Sequence, residues 1–258
     1  MHIISKNINT DEMPTTKYIN YDDIPGWFYY IDEFLFKLLL NYQNELNIPG
    51  NLLEVGVYHG KCFTFMHQFL KNDEKIIGID VEKFFLETQK KYNLYNNIDF
   101  RIIDSINFPN LNIDNIRFCH IDAAHNFENV YNDIKNTYKS LNYYGGIMVL
   151  DDFNTINYLN SIIAAYYKII FIDKLDLCPF LISDNKIYLS NRRYANLYYN
   201  FLIANITKYI PKYVSEEFQN KLYIKSCSGN SIFNQPLISC SSNLNGVDIF
   251  EQSAIYNY

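Results

Sequence analysis

One recurrence constrains this 258-residue chain more than any other feature. Short apolar runs, each closing on an acidic residue or a glycine turn, alternate with segments of helical period. The runs are Leu52-Leu53-Glu54-Val55-Gly56, Ile76-Ile77-Gly78-Ile79-Asp80, Phe100 to Asp104, Ile116 to Asp122, and Ile147-Met148-Val149-Leu150-Asp151-Asp152. A strand buried on both faces reads as a continuous apolar run, and strands alternating with helices stack into a parallel sheet covered on both sides. The expectation is a doubly wound α/β core. Helical period is read over 21–46 (Trp27, Ile31, Phe34 and Leu38 inward, Asp32, Glu33 and Lys37 between them), 61–70, 81–92, 127–141, 158–167 and about 194–209. A further strand is read at 169–172 and a closing hairpin at 180–182 and 186–189. The organisation expected is an N-terminal arm and helix (1–50, a candidate lid), a core (51–190) and a C-terminal helical extension (191–258).

Composition narrows the function classes. Hydrophobic residues make up 48% and charged residues 19%, enough apolar material for a buried core and too much for a disordered chain. With 22 Lys+Arg against 28 Asp+Glu and no basic run, the net charge of −6 offers no footprint for a phosphate backbone, which disfavours nucleic acid as a partner. The five cysteines are odd in number, scattered and without a C-x-x-C pair, which points to neither a disulfide framework nor a zinc knuckle. The first twenty residues are polar, and the longest apolar stretch is broken by Lys168, so neither a signal peptide nor a membrane span is expected. A cytoplasmic protein with a small-molecule partner is the expectation. The aromatic helix near 194–209 leaves a homo-oligomer face open as an alternative to packing.

Ligands of open α/β sheets bind outside the carboxyl ends of the strands, and the acidic residues of this chain gather there. Each alone is explained equally well as a helix cap; five successive strand ends together are not. The turn Gly56-Val57-Tyr58-His59-Gly60 lacks the middle glycine of a dinucleotide fingerprint, which disfavours NAD. Asp80 follows Gly60 by twenty residues, the spacing at which a carboxylate meets a ribose diol, so an adenosine-containing cofactor is favoured.

Glu54-x-Gly56-x-x-x-Gly60, Ile79-Asp80 and Asp104-Ser105 together resemble the cofactor-binding motif of class I S-adenosylmethionine-dependent methyltransferases. Ile121-Asp122-Ala123-Ala124-His125-Asn126-Phe127, then Asp133, then Gly145-Gly146 through Asp151-Asp152-Phe153, is similar to the pattern of methyltransferase domain 24, a branch related to metal-dependent O-methyltransferases of sugars, macrolides and catechols. Ala123 stands where glycine is usual and Cys62 where serine is usual. The resemblance implies a Rossmann-like, mostly parallel seven-stranded sheet. It also implies that Glu54, Gly56, Tyr58, His59 and Gly60 meet the methionine part of S-adenosylmethionine, that Asp80 holds the ribose, and that Asp104 and Ser105 lie by the adenine. Asp122 would touch the cofactor and, with Asp151 and Asp152, hold Mg²⁺. His125 falls where catechol-type enzymes carry a catalytic lysine, and an imidazole there would act as base. Three carboxylates converging on one sheet edge repel one another unless a cation or a shared proton compensates, which independently favours the metal. His120 reads as a hydrogen-bonded core histidine and Asp133 as a solvated helix carboxylate. The reading is a magnesium-dependent O-methyltransferase of a sugar or small secondary metabolite. Its alternatives are a metal-independent N- or O-methyltransferase and a non-catalytic cofactor-binding scaffold.

Overall fold

A computed structural model describes residues 21–155, 157–213, 222–227 and 237–242. The polar N-terminal arm and most of the Ser/Asn-rich tail lie outside the described residues. Nine strands form one sheet: β1 (Asn51–Val55), β2 (Ile76–Asp80), β3 (Ile98–Ile102), β4 (Ile116–Ile121), β5 (Ile147–Leu150), β6 (Cys178–Ile182), β7 (Ile187–Ser190), β8 (Leu222–Cys227) and β9 (Leu237–Ser242). Their spatial order is β3-β2-β1-β4-β5-β7-β6-β9-β8. Strands β1 to β5 are parallel, β7 runs antiparallel to both β5 and β6, and β9 pairs parallel with β6. The described strands therefore number nine rather than seven, because β8 and β9 from the tail extend the far edge.

The helices are α1 (Tyr30–Glu45), α2 (Lys61–His67), α3 (Phe85–Tyr92), α4 (Phe127–Ser140), α5 (Leu159–Tyr167) and α6 (Arg192–Tyr213). One face of the sheet packs α1, α2, α6 and Phe85 of α3 into a core rich in aromatic rings; the other packs α4 and α5 with Phe108 and Ile113. The aromatic side of α6 is spent inside the chain: Tyr198, Leu202, Ile206 and Tyr209 are buried in the first core.

Three expectations need correction. Helix α1 begins nine residues later than 21, because Pro25-Gly26 breaks the pattern and leaves 21–29 as irregular chain. The expected strand at 169–172 is a π-helical turn, Lys168–Ile172, continuing α5; Ile169 and Ile170 are buried there, and a short apolar run does not by itself separate strand from buried helix. Asp133, read as a solvated helix carboxylate, is buried, as is Asp32 between the apolar positions of α1.

At the amino ends of the strands, Arg117 on β4 is buried and neutralised by Glu74, with Nη2 donating to Glu74 Oε2 at 2.8 Å and Nη1 to Gln43 Oε1 at 3.1 Å. Gln43 in turn donates to the Arg117 and Gly145 carbonyls, which fixes α1 to the sheet. The strand order reverses between β1 and β4, and there the β1 carboxyl end turns through Gly56 at φ +87°. A Cβ at Gly56 would collide with the Asp122 carbonyl oxygen, so the close approach of the two strand ends requires glycine. Gly56→Ala is expected to destabilise the protein by about 1–3 kcal/mol from the backbone conformation alone, read as a fall in the denaturant midpoint; an unchanged midpoint would show that this turn relaxes freely.

Candidate active site

The carboxyl ends of β1, β2, β4 and β5 border two adjoining clefts. The smaller, about 360 Å³, is lined by Gly56, Tyr58, Asp80, Asp104, Ser105, Asp122 and Asn129 among others. The larger, about 430 Å³, is lined by Glu54, Cys62, His120, Asp122, His125, Asp151 and Asp152, with Pro25, Gly26, Trp27, Tyr29 and Tyr158 at its rim. Gly56, Tyr58 and Asp122 belong to both clefts and mark their junction.

In the smaller cleft the acidic residues do different work. Asp80 Oδ2 accepts from the amides of Val57 and Tyr58, each at 2.7 Å, and Oδ1 from Glu82 at 2.8 Å, so Asp80 pins the glycine turn while bordering the cleft. Asp104 caps the 3₁₀ segment Ser105–Asn110 by accepting from the Ile106 amide. Asp133 lies behind them, and burial pushes its carboxyl up to about 6, against a hydrogen bond from Ser105. His59 stacks on Phe84 at 5.0 Å and lines neither cleft. Gly60 closes the turn, its backbone against the Phe85 ring.

The floor of the larger cleft is a chain of buried charges. His120 donates from Nδ1 to Glu54 Oε1 at 2.8 Å and from Nε2 to Asp151 Oδ2 at 3.2 Å. Burial alone would lower the His120 pKa, but Cys62 beside the ring and the carboxylates on its two nitrogens reverse this and hold it well above the ordinary value. Asp151 Oδ2 also accepts from Lys186 Nζ at 2.5 Å, while Oδ1 accepts from Asn185 at 2.7 Å and from the Asp152 amide at 2.7 Å. Burial opposes ionisation of Asp151, yet Lys186 and His120 bring its pKa below the usual carboxylate range. Lys186 continues to Asp32 Oδ2 at 3.5 Å. Sequence reasoning missed Lys186 and Asn185. The available signal was a lysine opening the otherwise apolar run Ile187-Tyr188-Leu189, one strand away from Asp151.

Above this floor stands a second cluster. His125 Nε2 lies 3.0 Å from Asp152 Oδ2 and 3.4 Å from Asp122 Oδ1, and its ring stacks on Tyr158 at 4.2 Å. Asp152 sits at φ +54°, and its Oδ1 accepts from Thr155 at 2.6 Å. The structure thus gathers Asp122, His125 and Asp152 at the open surface of the cleft, with donor atoms within 4.8 Å of one another, while Asp151 faces inward to Lys186 and His120. The two carboxylates raise the His125 pKa to about 9. A group raised in the folded state contributes stability fully below its unfolded pKa and loses it as pH rises through the folded one, here from about 6.5 to about 9. An NMR titration of the unliganded protein should find the His125 imidazole midpoint near 9, and a midpoint at the ordinary value would dissolve the cluster as described.

Among solved structures, an O-methyltransferase from Bacillus cereus in complex with SAH is 15% identical, with 65% of this chain and 84% of that one covered at a TM-score of 0.51. A Klebsiella pneumoniae protein provisionally described as an O-methyltransferase is 13% identical over 64% of this chain and 82% of its own, with a TM-score of 0.53. A Staphylococcus aureus protein provisionally described as a caffeoyl-CoA O-methyltransferase is 14% identical over 65% and 86%, with a TM-score of 0.51. These likenesses establish the fold. No curated protein sequence matches the chain. The sequence profile of a methyltransferase domain family, type 24, matches residues 53–153, the segment that carries the glycine turn, Asp80, Asp122 and the Asp151-Asp152 pair. Residues 53–153, under half of the chain, thus match a methyltransferase domain of the type 24 family.

Proposed function

We propose that the chain transfers the methyl group of S-adenosylmethionine to a hydroxyl of a small molecule, a sugar or a secondary metabolite. The observation that carries this reading is Glu54, a buried residue of the larger cleft's lining whose Oε2 has no hydrogen-bond partner among the described residues. An orphaned buried acceptor costs free energy unless a ligand supplies a donor. The ammonium of the cofactor's methionine part is such a donor, and the smaller cleft, bordered by Asp80, Asp104 and Ser105, suits its adenosine. Tyr58, Gly56 and Asp122 would then flank the sulfonium at the junction of the clefts.

An acceptor hydroxyl in the larger cleft would meet Asp122, His125 and Asp152, under a rim of Trp27, Tyr29 and Tyr158. Trp27 stacks on Tyr58 at 5.9 Å, which places a flat apolar surface at the mouth. Trp27 and Tyr29 come from the irregular segment before α1, and none of the described residues of α6 lines either cleft. With the sulfonium as the leaving group, the protein's tasks are alignment, exclusion of water and management of one proton. His125 can take that proton only once its own is gone, which the neighbouring carboxylates oppose until about pH 9.

Of the three expected Mg²⁺ ligands, Asp122 and Asp152 would serve, since both border the open cleft. Asp151 has both oxygens engaged by protein donors and supports Asp152 from behind. Held by Asp122 and Asp152 with waters completing its shell, a divalent cation would offset the carboxylate charge and ease deprotonation of an acceptor hydroxyl.

Two experiments test this reading. In calorimetric titrations, S-adenosylmethionine should bind and NAD should not. Glu54→Gln should weaken S-adenosylmethionine about tenfold or more while sparing 5′-methylthioadenosine, which lacks the ammonium; equal losses for both would remove Glu54 from the cofactor. With a panel of hydroxylated acceptors, formation of S-adenosylhomocysteine should stop on chelation and resume with Mg²⁺. Turnover unaffected by chelator would make the reaction metal-independent, and tight cofactor binding without turnover across the panel would favour a binding scaffold.

A further inference from the structure

The floor of the larger cleft holds donor types that neither the cofactor nor a hard cation requires. Cys62 Sγ lies 3.5 Å from His120 Nδ1, which lies 2.8 Å from Glu54 Oε1, and donor atoms of the three residues all fall within 4.8 Å of one another. All three side chains are buried, and all three border the cleft. Glu54 Oε2 adds an acceptor with no partner among the described residues. A thiol, an imidazole and a carboxylate form the ligand set of an open zinc site, with three protein ligands and one position left over. Bonds of about 2.0–2.3 Å at tetrahedral angles set such donor atoms roughly 3.4–3.6 Å apart. The Cys62–His120 separation already has this spacing, and the Glu54–His120 pair needs to open by about half an ångström.

The surroundings match as well. A metal-bound histidine usually donates its other ring N–H to a carboxylate that fixes the ring. His120 Nε2 does so to Asp151, which Lys186 and Asn185 hold in place. By contrast, the Asp122–His125–Asp152 cluster has no sulfur and two carboxylates, a harder set.

The geometry points to a second, distinct metal site at Glu54, Cys62 and His120, selective for a thiophilic divalent cation, Zn²⁺ above all, and mutually exclusive with the methionine end of the cofactor. Binding releases two protons to solvent, from Cys62 Sγ and from His120 Nδ1, and forms metal–sulfur, metal–nitrogen and metal–oxygen bonds without any redox change. The Glu54 carboxylate then no longer receives the cofactor's ammonium, so Zn²⁺ acts as an inhibitor competitive with S-adenosylmethionine. The exclusion rests on the cofactor reading above; the metal site itself does not.

The test is a titration of the purified full chain with Co²⁺, whose thiolate complexes give a near-ultraviolet charge-transfer band. One equivalent should produce the band in the wild type, and Zn²⁺ should displace it. Cys62→Ser, a substitution of similar size, should lose the band and weaken Zn²⁺ at least tenfold, with circular dichroism confirming the fold. Asp122→Asn should keep the band, since it alters only the harder cluster. Absence of a sulfur band in the wild type, or its persistence in Cys62→Ser, overturns the site. Where S-adenosylmethionine binds, its apparent Kd should rise in proportion to Zn²⁺, and a Kd indifferent to bound Zn²⁺ overturns the exclusion. Failure of S-adenosylmethionine to bind at all would sink the cofactor reading instead, with the cobalt band still deciding the site.

Discussion

The alternating chain of buried charges from Glu54 through His120, Asp151 and Lys186 to Asp32 is the interaction on which the rest of the molecule's working end depends. It joins β1, β4, the end of β5, the β6–β7 hairpin and the first turn of α1. Each of these groups would cost several kcal/mol to bury alone. Alternation of sign makes the burial tolerable: each imidazole or ammonium sits between two carboxylates, and Ser183 donates to Asp32 Oδ1 at 2.7 Å. Because the partners come from five separate elements, the chain sets the positions of the strand ends relative to one another as well as their charge.

That chain divides the carboxylates of the strand ends into different kinds. Asp151 is consumed from behind, and its Oδ1 accepts the Asp152 amide. Asp152, at φ +54°, turns its own carboxylate outward to His125. Burial opposes ionisation of Asp152, but His125 and Thr155 keep it below the ordinary carboxylate range. Burial and the neighbouring Asp151 charge push Asp122 the other way. Two adjacent aspartates of identical chemistry thus receive different duties from their surroundings: one supports and one faces the cleft. On the β2 and β3 side, Asp80 anchors the glycine turn and Asp104 caps a helical segment, so the border of the smaller cleft is also built from groups with structural work.

The segments outside the repeating core differ in what they add. The residues before α1 bring Pro25, Gly26, Trp27 and Tyr29 to the cleft, whereas α6, β8 and β9, none of whose described residues lines it, extend the sheet and its aromatic core. No helix among the described residues is long and apolar enough to cross a membrane.

The sequence by itself determined the parallel core and the gathering of acidic residues at the strand ends. Those features follow from local patterns: continuous apolar runs, helical period and glycine turns, each legible over a few neighbouring residues. Only the tertiary structure decided which carboxylate is open and which is neutralised. Lys186 reaches Asp151 across 35 positions, His120 reaches Glu54 across 66, and Ser183 reaches Asp32 across 151. The same distance explains why Asp133 reads as solvated. A buried carboxylate on a helix has the spacing of an exposed one, and the donor or the covering side chain that makes its burial tolerable is brought to it only when the sheet has formed.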